Sequence, residues 1–168
     1  MASLSSPIDY WGLLMLSLAQ QPMGFDLGYW RLWKKKCLEA CRQVYAPQGK
    51  LALNVALGPK ERGRHRPRAD GVLATPHALL LIKVKRRPSP ADVDRLLQHA
   101  QLLGEHPRSP EQQGLPVRPL LVVRFLDLHV AQAARERGMT MHQAGPDGRL
   151  LDLPRTWPRR GSARRASG

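Results

Sequence analysis

Asp70 begins one apolar run, Asp70-Gly-Val-Leu-Ala. A second run, Ala78-Leu-Leu-Leu-Ile-Lys83-Val-Lys85, ends in a charged, apolar, charged triplet followed by Arg86 and Arg87. On a strand, side chains two residues apart project from the same face, so Lys83 and Lys85 point the same way. A carboxylate near such a pair can do two kinds of chemistry. The acid can ligate a hard divalent cation, and the ammonium groups can hold phosphate. Other residues add to the second possibility: Arg62, Arg64, Arg66 and Arg68 in the loop before Asp70, and Arg95 and His99 four residues apart on one helical face.

The elements that must carry these residues follow from periodicity and punctuation. Ser6-Pro7-Ile8-Asp9 has the residues of a helix start, giving a helical extension over residues 1–24. A second helix runs from about Asp26 to Tyr45, with Leu27, Trp30, Trp33, Cys37, Cys41 and Val44 as its buried stripe. Lys34, Lys35 and Lys36 fall to the side of that stripe and read as a solvated flank. Apolar runs over 51–57, 71–74 and 78–85 read as strands, the last two joined by a turn at Thr75-Pro76-His77. Ser89-Pro90-Ala91-Asp92 opens a helix to about Leu103, which buries Val93, Leu96, Leu97 and Ala100. A loop over 104–116 leads to a strand over 120–125, a helix over 128–137 ended by Gly138, and strands over 139–143 and 150–153. The residues after 153 are basic and almost free of apolar side chains, the composition of a disordered tail. The main domain is therefore expected over 25–153 and the tail over 154–168.

The chain has 168 residues, 42% of them hydrophobic, which is enough for one domain with a core. A formal net charge of +14 argues against an enzyme of small anions and for a polyanionic partner. Five cations lie within 60–68, four within 83–87 and five within 155–165, and this clustering around Asp70 favours nucleic acid. The apolar segment 11–19 is too short to cross a bilayer, so a membrane partner is not expected. Cys37 and Cys41 suit neighbouring helical core positions in a reducing, cytoplasmic protein.

Asp70, Lys83 and Lys85, taken with this order of elements, resemble the PD-(D/E)XK nuclease superfamily. The resemblance implies an α/β domain with a restriction-endonuclease-like αβββαβ core, a mixed central sheet flanked by helices. It also implies that Asp70 is the metal-binding acid and Lys85 the catalytic lysine, with Mg²⁺ as cofactor if the protein is active. Lys83 stands where the family's second metal-binding acid is expected, and a cation there repels Mg²⁺. Arg95 and His99 stand where the family carries Gln and Tyr, with Gln98 and Gln101 as a shifted alternative.

Each assignment has a plainer alternative. Asp70 is also a suitable turn residue before Gly71, Lys85 a strand-end cation, and Lys83 either a phosphate contact or a solvated residue. Glu39 is the obvious replacement acid but lies nearly opposite the Cys37–Cys41 stripe, and Glu61 suits a salt bridge to a nearby Arg. The reading is a nuclease-like protein that binds nucleic acid, duplex DNA first, without cutting it. Its contacts are Arg62, Arg64, Arg66, Arg68, Lys83, Lys85, Arg86, Arg87, Arg95 and His99. An active Mg²⁺-dependent DNA nuclease and a basic assembly subunit remain alternatives, and a homodimer is left open.

Overall fold

An uninterrupted apolar run can be a strand only if both of its faces are covered, and Leu79–Lys85 meets that condition at the centre of the sheet. The computed structural model describes residues 27–61 and 63–151, so the expected first helix and basic tail lie outside the described residues. The chain divides into units Met1–Leu32 and Trp33–Gly168, and the fold below is that of the second. One helix, α1 (Leu27–Tyr45), enters it, burying Trp33, Cys37, Leu38 and Cys41. The expected stripe holds in its middle only, since Leu27 and Val44 at its ends are exposed.

Strands β1 (Leu51–Ala56), β2 (Arg68–Ala74), β3 (Leu79–Lys85), β4 (Val117–Val123), β5 (Thr140–Ala144) and β6 (Leu150–Leu151) form one sheet in sequence order. β1, β2 and β3 pair antiparallel, β3, β4 and β5 parallel, and β5 and β6 antiparallel. Parallel neighbours need crossovers, supplied by α2 (Pro90–Glu105) and α3 (Leu128–Glu136). Val93, Leu96, Ala100 and Leu103 of α2 and Val130, Ala131 and Ala134 of α3 bury against Leu79, Leu81, Leu121 and Val123.

Local chemistry sets the helix starts. Asp92 closes a capping box on Ser89, and the Asp127 side chain accepts from the His129 and Val130 amides. β4 begins at Val117, three residues earlier than expected, because its first residues pair with β3 from Leu79 onward. Pro119 is tolerated because β5 joins β4 only from Leu120. Among the described residues no helix is long and apolar enough to cross a membrane.

The regular alternation of β2 breaks at one place. Ala69 and Val72, three residues apart, both join the core cluster, whereas Gly71 between them lies against Leu38 of α1, where a Cβ would stand 2.8 Å from Leu38 Cδ2. Opposite, Asn54 takes a left-handed φ of 50°. The β2–β3 pairing ends at Gly71↔Ile82, so the strands part next to Asp70.

The far end of the sheet is tied to α1. The buried Trp33 Nε1–H donates to the Gly145 carbonyl at 2.7 Å, and Gly148 approaches Lys36 and Cys37 so closely that a Cβ would stand 2.5 Å from Lys36 Cβ. The same carbonyl also accepts the Gly148 amide at 3.0 Å, so replacing Trp33 with Phe should remove one of its two donors and cost about 0.5–1.5 kcal/mol, read as a lower midpoint in urea with an unchanged slope.

Candidate functional site

Where β2 and β3 part, the Asp70 carboxylate takes the place of a ladder carbonyl. Its Oδ2 accepts the Val84 amide at 2.8 Å, a bond that regular pairing would have given to backbone. Asp70 is thus a strand residue and not a turn aspartate. Two ammonium groups flank the same carboxylate: Lys34 Nζ lies 2.9 Å from Oδ1, and Lys83 Nζ 3.5 Å from Oδ2. Lys83 Nζ also lies 3.5 Å from the Arg68 carbonyl.

The expectation that Lys34 is a solvated flank is corrected. Lys34 sits one turn before Leu38, which is buried, so its stem follows the packed face of α1 and carries the ammonium to Asp70. The spacing 34, 38 was readable in the sequence; the partner, 36 residues away, was not.

Lys85 does not bond Asp70. Its Nζ lies 3.1 Å from Asp92 Oδ1, which also has Arg95 Nη1 at 3.4 Å. Burial opposes ionisation of Asp92, yet the Ser89 amide and Lys85 outweigh it, and the pKa falls below the ordinary carboxylate value. Asp92 therefore joins the start of α2 to the end of β3, a role that reading it only as a capping residue missed.

Lys83, Lys85, Asp92, Arg95, Leu96 and His99 line one cleft of about 100 Å³. The structure brings together Lys83, Lys85, Arg95 and His99, with Asp70 reached through Lys83. His99 Nδ1 is buried with no hydrogen-bond partner among the described residues. Burial first, then Lys83 and Arg95, holds this imidazole below its ordinary pKa of 6.5.

The remaining candidates lie elsewhere. Arg66 hydrogen-bonds the Leu57 and Gly58 carbonyls, and Arg68 bonds Asn54 through its side-chain oxygen at 2.8 Å and its carbonyl at 3.2 Å, so both brace the β1–β2 connection. Arg64 pairs with Glu61 at 3.4 Å, the expected role of that glutamate, and Arg62 lies outside the described residues. Glu39 is exposed and bonded to Arg42 and Gln43. Arg86 and Arg87 stand over Phe125, whose cluster with Arg124 sequence reasoning did not single out.

Mg²⁺ is held by oxygen ligands, with carboxylates among them helping to offset its partial dehydration. Among the described residues, the polar groups bonded to the Asp70 carboxylate are two ammonium groups and an amide, all donors. Among the described residues no three His, Cys, Asp or Glu side chains gather closely enough to hold a metal ion. The residues around Asp70 do not fit the cation that the resemblance implies.

No protein-family profile and no curated protein matches the sequence. Among solved structures, EndoMS in its dsDNA complex superposes with a TM-score of 0.50 at 16% identity, over 76% of this chain and 48% of that one. A repair endonuclease from Pyrococcus abyssi gives 0.43 at 17%, over 64% and 46%, and a Vibrio cholerae protein 0.47 at 22%, over 68% and 29%. The αβββαβ order, with its mixed sheet flanked by helices, is thus the restriction-endonuclease-like fold. The chain spans about half the length of the EndoMS chain it superposes on.

Two measurements test this geometry. Asp70→Ala should leave Val84 N–H unpaired and two ammonium groups facing each other, lowering stability by about 1–3 kcal/mol in urea unfolding; a metal ligand with no structural role would leave metal-free stability unchanged or raised. In the unfolded chain His99 takes up a proton near 6.5, while the folded site resists it, so its contribution to stability is present above that pH and lost as pH falls below it. His142, also held low by burial, acts with the same sign, so stability followed from pH 7.5 to 5.5 should flatten in His99→Gln and further in the double variant with His142→Gln.

Proposed function

We propose that this protein binds the phosphate backbone of nucleic acid, duplex DNA first, on a nuclease-like scaffold that does not cut it. The observation that carries this reading is the pair of ammonium groups, from Lys34 and Lys83, on the one carboxylate where the fold family would hold its metal. With Asp70 neutralised, the charge left over at this end of the sheet is positive. Lys85 and Arg95 share a single carboxylate, Asp92, and Arg86 and Arg87 follow directly in the chain. Contacts of this kind give affinity with little sequence preference.

Two further facts support the reading. EndoMS, which shares the fold, is a protein whose structure is described as a dsDNA complex. Cys37 and Cys41 are buried free thiols, pushed up to about 12 chiefly by burial, which suits a reducing compartment such as the cytoplasm.

Gel retardation of a labelled duplex tests binding. Affinity should fall about a thousandfold between 50 and 200 mM salt if roughly six phosphates are contacted. A protein that ignores DNA and RNA alike at near-physiological salt would turn the reading to a basic assembly subunit meeting an acidic protein. No cleavage is expected with Mg²⁺ or Mn²⁺, and cutting that disappears in Asp70→Ala would overturn the inactive reading.

Rebuilding the site separates the two lysines. Lys83→Glu alone should bind Mg²⁺ weakly or not at all, because Lys34 still occupies Asp70. Lys83→Glu combined with Lys34→Gln should bind it measurably by titration calorimetry.

A further inference from the structure

The cleft between the end of β3 and the first half of α2 has two basic walls. Lys83 and Lys85, two residues apart, project into it from one face of the sheet, and Arg95 and His99, one turn apart, line it from α2. Among the described residues the lining holds three cations, Lys83, Lys85 and Arg95, and one acid, Asp92, an excess of two positive charges. Asp70, beyond the lining, faces Lys34 as well as Lys83 and so does not cancel that excess.

These cations are all paired, and pairing does not exhaust them as donors. An ammonium has three N–H groups and a guanidinium five. Lys85 turns to Asp92, Arg95 reaches the same carboxylate through Nη1, and Lys83 lies between Asp70 and the Arg68 carbonyl, both at 3.5 Å. The acids fix where the nitrogens stand and leave further N–H groups for a ligand, and the Arg95 side chain is 59% exposed. His99 reports the balance of charge. Burial first, then Lys83 and Arg95, holds its pKa below 6.5, so the field at the imidazole is positive in spite of Asp92.

Size and charge choose the ligand. At about 100 Å³ the cleft exceeds the space of one water and falls short of the ~300 Å³ or more that encloses a whole small molecule, so a phosphate group can enter and a nucleotide cannot. An internal phosphodiester carries a single negative charge, with strand leaving on both sides. A terminal phosphate monoester carries about −2 at neutral pH, with strand leaving on one side only. The monoester therefore reaches further into a concave site and matches the excess charge of its lining.

We propose that the cleft of Lys83, Lys85, Arg95 and His99 holds the terminal phosphate of a nucleic-acid strand, so that the protein engages strand ends in preference to uninterrupted backbone. This rests on the nucleic-acid reading above and adds to it the part of the strand that is recognised.

Fluorescence anisotropy near pH 7.5 and at constant ionic strength tests it, with short internally labelled duplexes of one sequence that carry phosphate at both 5′ ends, at both 3′ ends or at neither. One phosphorylated form should bind about tenfold more tightly than the hydroxyl form, and which form it is gives the polarity of the strand end. Arg95→Gln should bring that ratio close to one. Arg87→Gln, outside the cleft, should weaken all three duplexes alike and leave the ratio as it is. Inorganic phosphate in place of chloride should erase the preference in the parent protein, which decides the matter if Arg95→Gln fails to fold. Equal binding of all three duplexes, or a preference that Arg95→Gln leaves intact, overturns the strand-end site while leaving the nucleic-acid reading in place. Inorganic phosphate that shifts the His99 imidazole resonance, with no preference among the duplexes, overturns it in favour of a site for free phosphate. Failure of the parent protein to bind any duplex overturns both.

Discussion

The carboxylate of Asp70 is the constraint on which this end of the molecule depends. It holds the Val84 amide where β2 and β3 part, and it is the meeting point of a helix and two strands through Lys34, Lys83 and its own backbone. An ion pair with two cations on one acid is stabilised only where some water is excluded, and the Asp70 side chain is 12% exposed. The shift of side-chain phase at Gly71 and the left-handed Asn54 are the local distortions that let a strand residue turn its side chain into the gap. One acid thus replaces a ladder bond, anchors α1 and neutralises a strand lysine.

The second acid, Asp92, organises the neighbouring charges in a different way. Its carboxylate accepts the Ser89 amide and hydroxyl at 2.8 and 3.1 Å while facing Lys85 and Arg95. The residue that starts α2 therefore also positions the cations at the end of β3. Two acids set the positions of four cations, Lys34 and Lys83 on one and Lys85 and Arg95 on the other. Part of the positive surface is thus built from side chains held in place by acids.

Much of this was legible locally. Ser89-Pro90-Ala91-Asp92 announces its helix because capping chemistry acts within four residues, and 78–85 announces a buried strand by composition alone. The Thr75-Pro76-His77 turn is likewise local, closed by the Thr75 amide on the Ala78 carbonyl at 2.9 Å. What was not legible depended on partners distant in sequence. Val117 and Arg118, flanked by Pro116 and Pro119, fell between the expected loop and the expected strand, and pairing with β3 makes them strand. Lys34 looked like a solvated residue because nothing within its helix reveals a carboxylate on β2. Phe125 looked like the end of a buried run, and only the register of β4 against β3 sets it among arginines.

The bond from Trp33 to Gly145 joins residues 112 positions apart. A contact of that separation forms against the full loop-closure entropy of the chain between its ends. During synthesis the indole of α1 emerges long before the β5–β6 turn that accepts it, so the packed face of this helix, with Cys37 and Cys41, cannot complete its burial until the last hairpin is made. The part of α1 that meets β2, through Lys34 on Asp70 and Leu38 against Gly71, does not need that hairpin, whereas the Trp33 and Cys37 part does. For this chain, one helix is fastened at two places far apart in sequence, to β2 and to the β5–β6 turn.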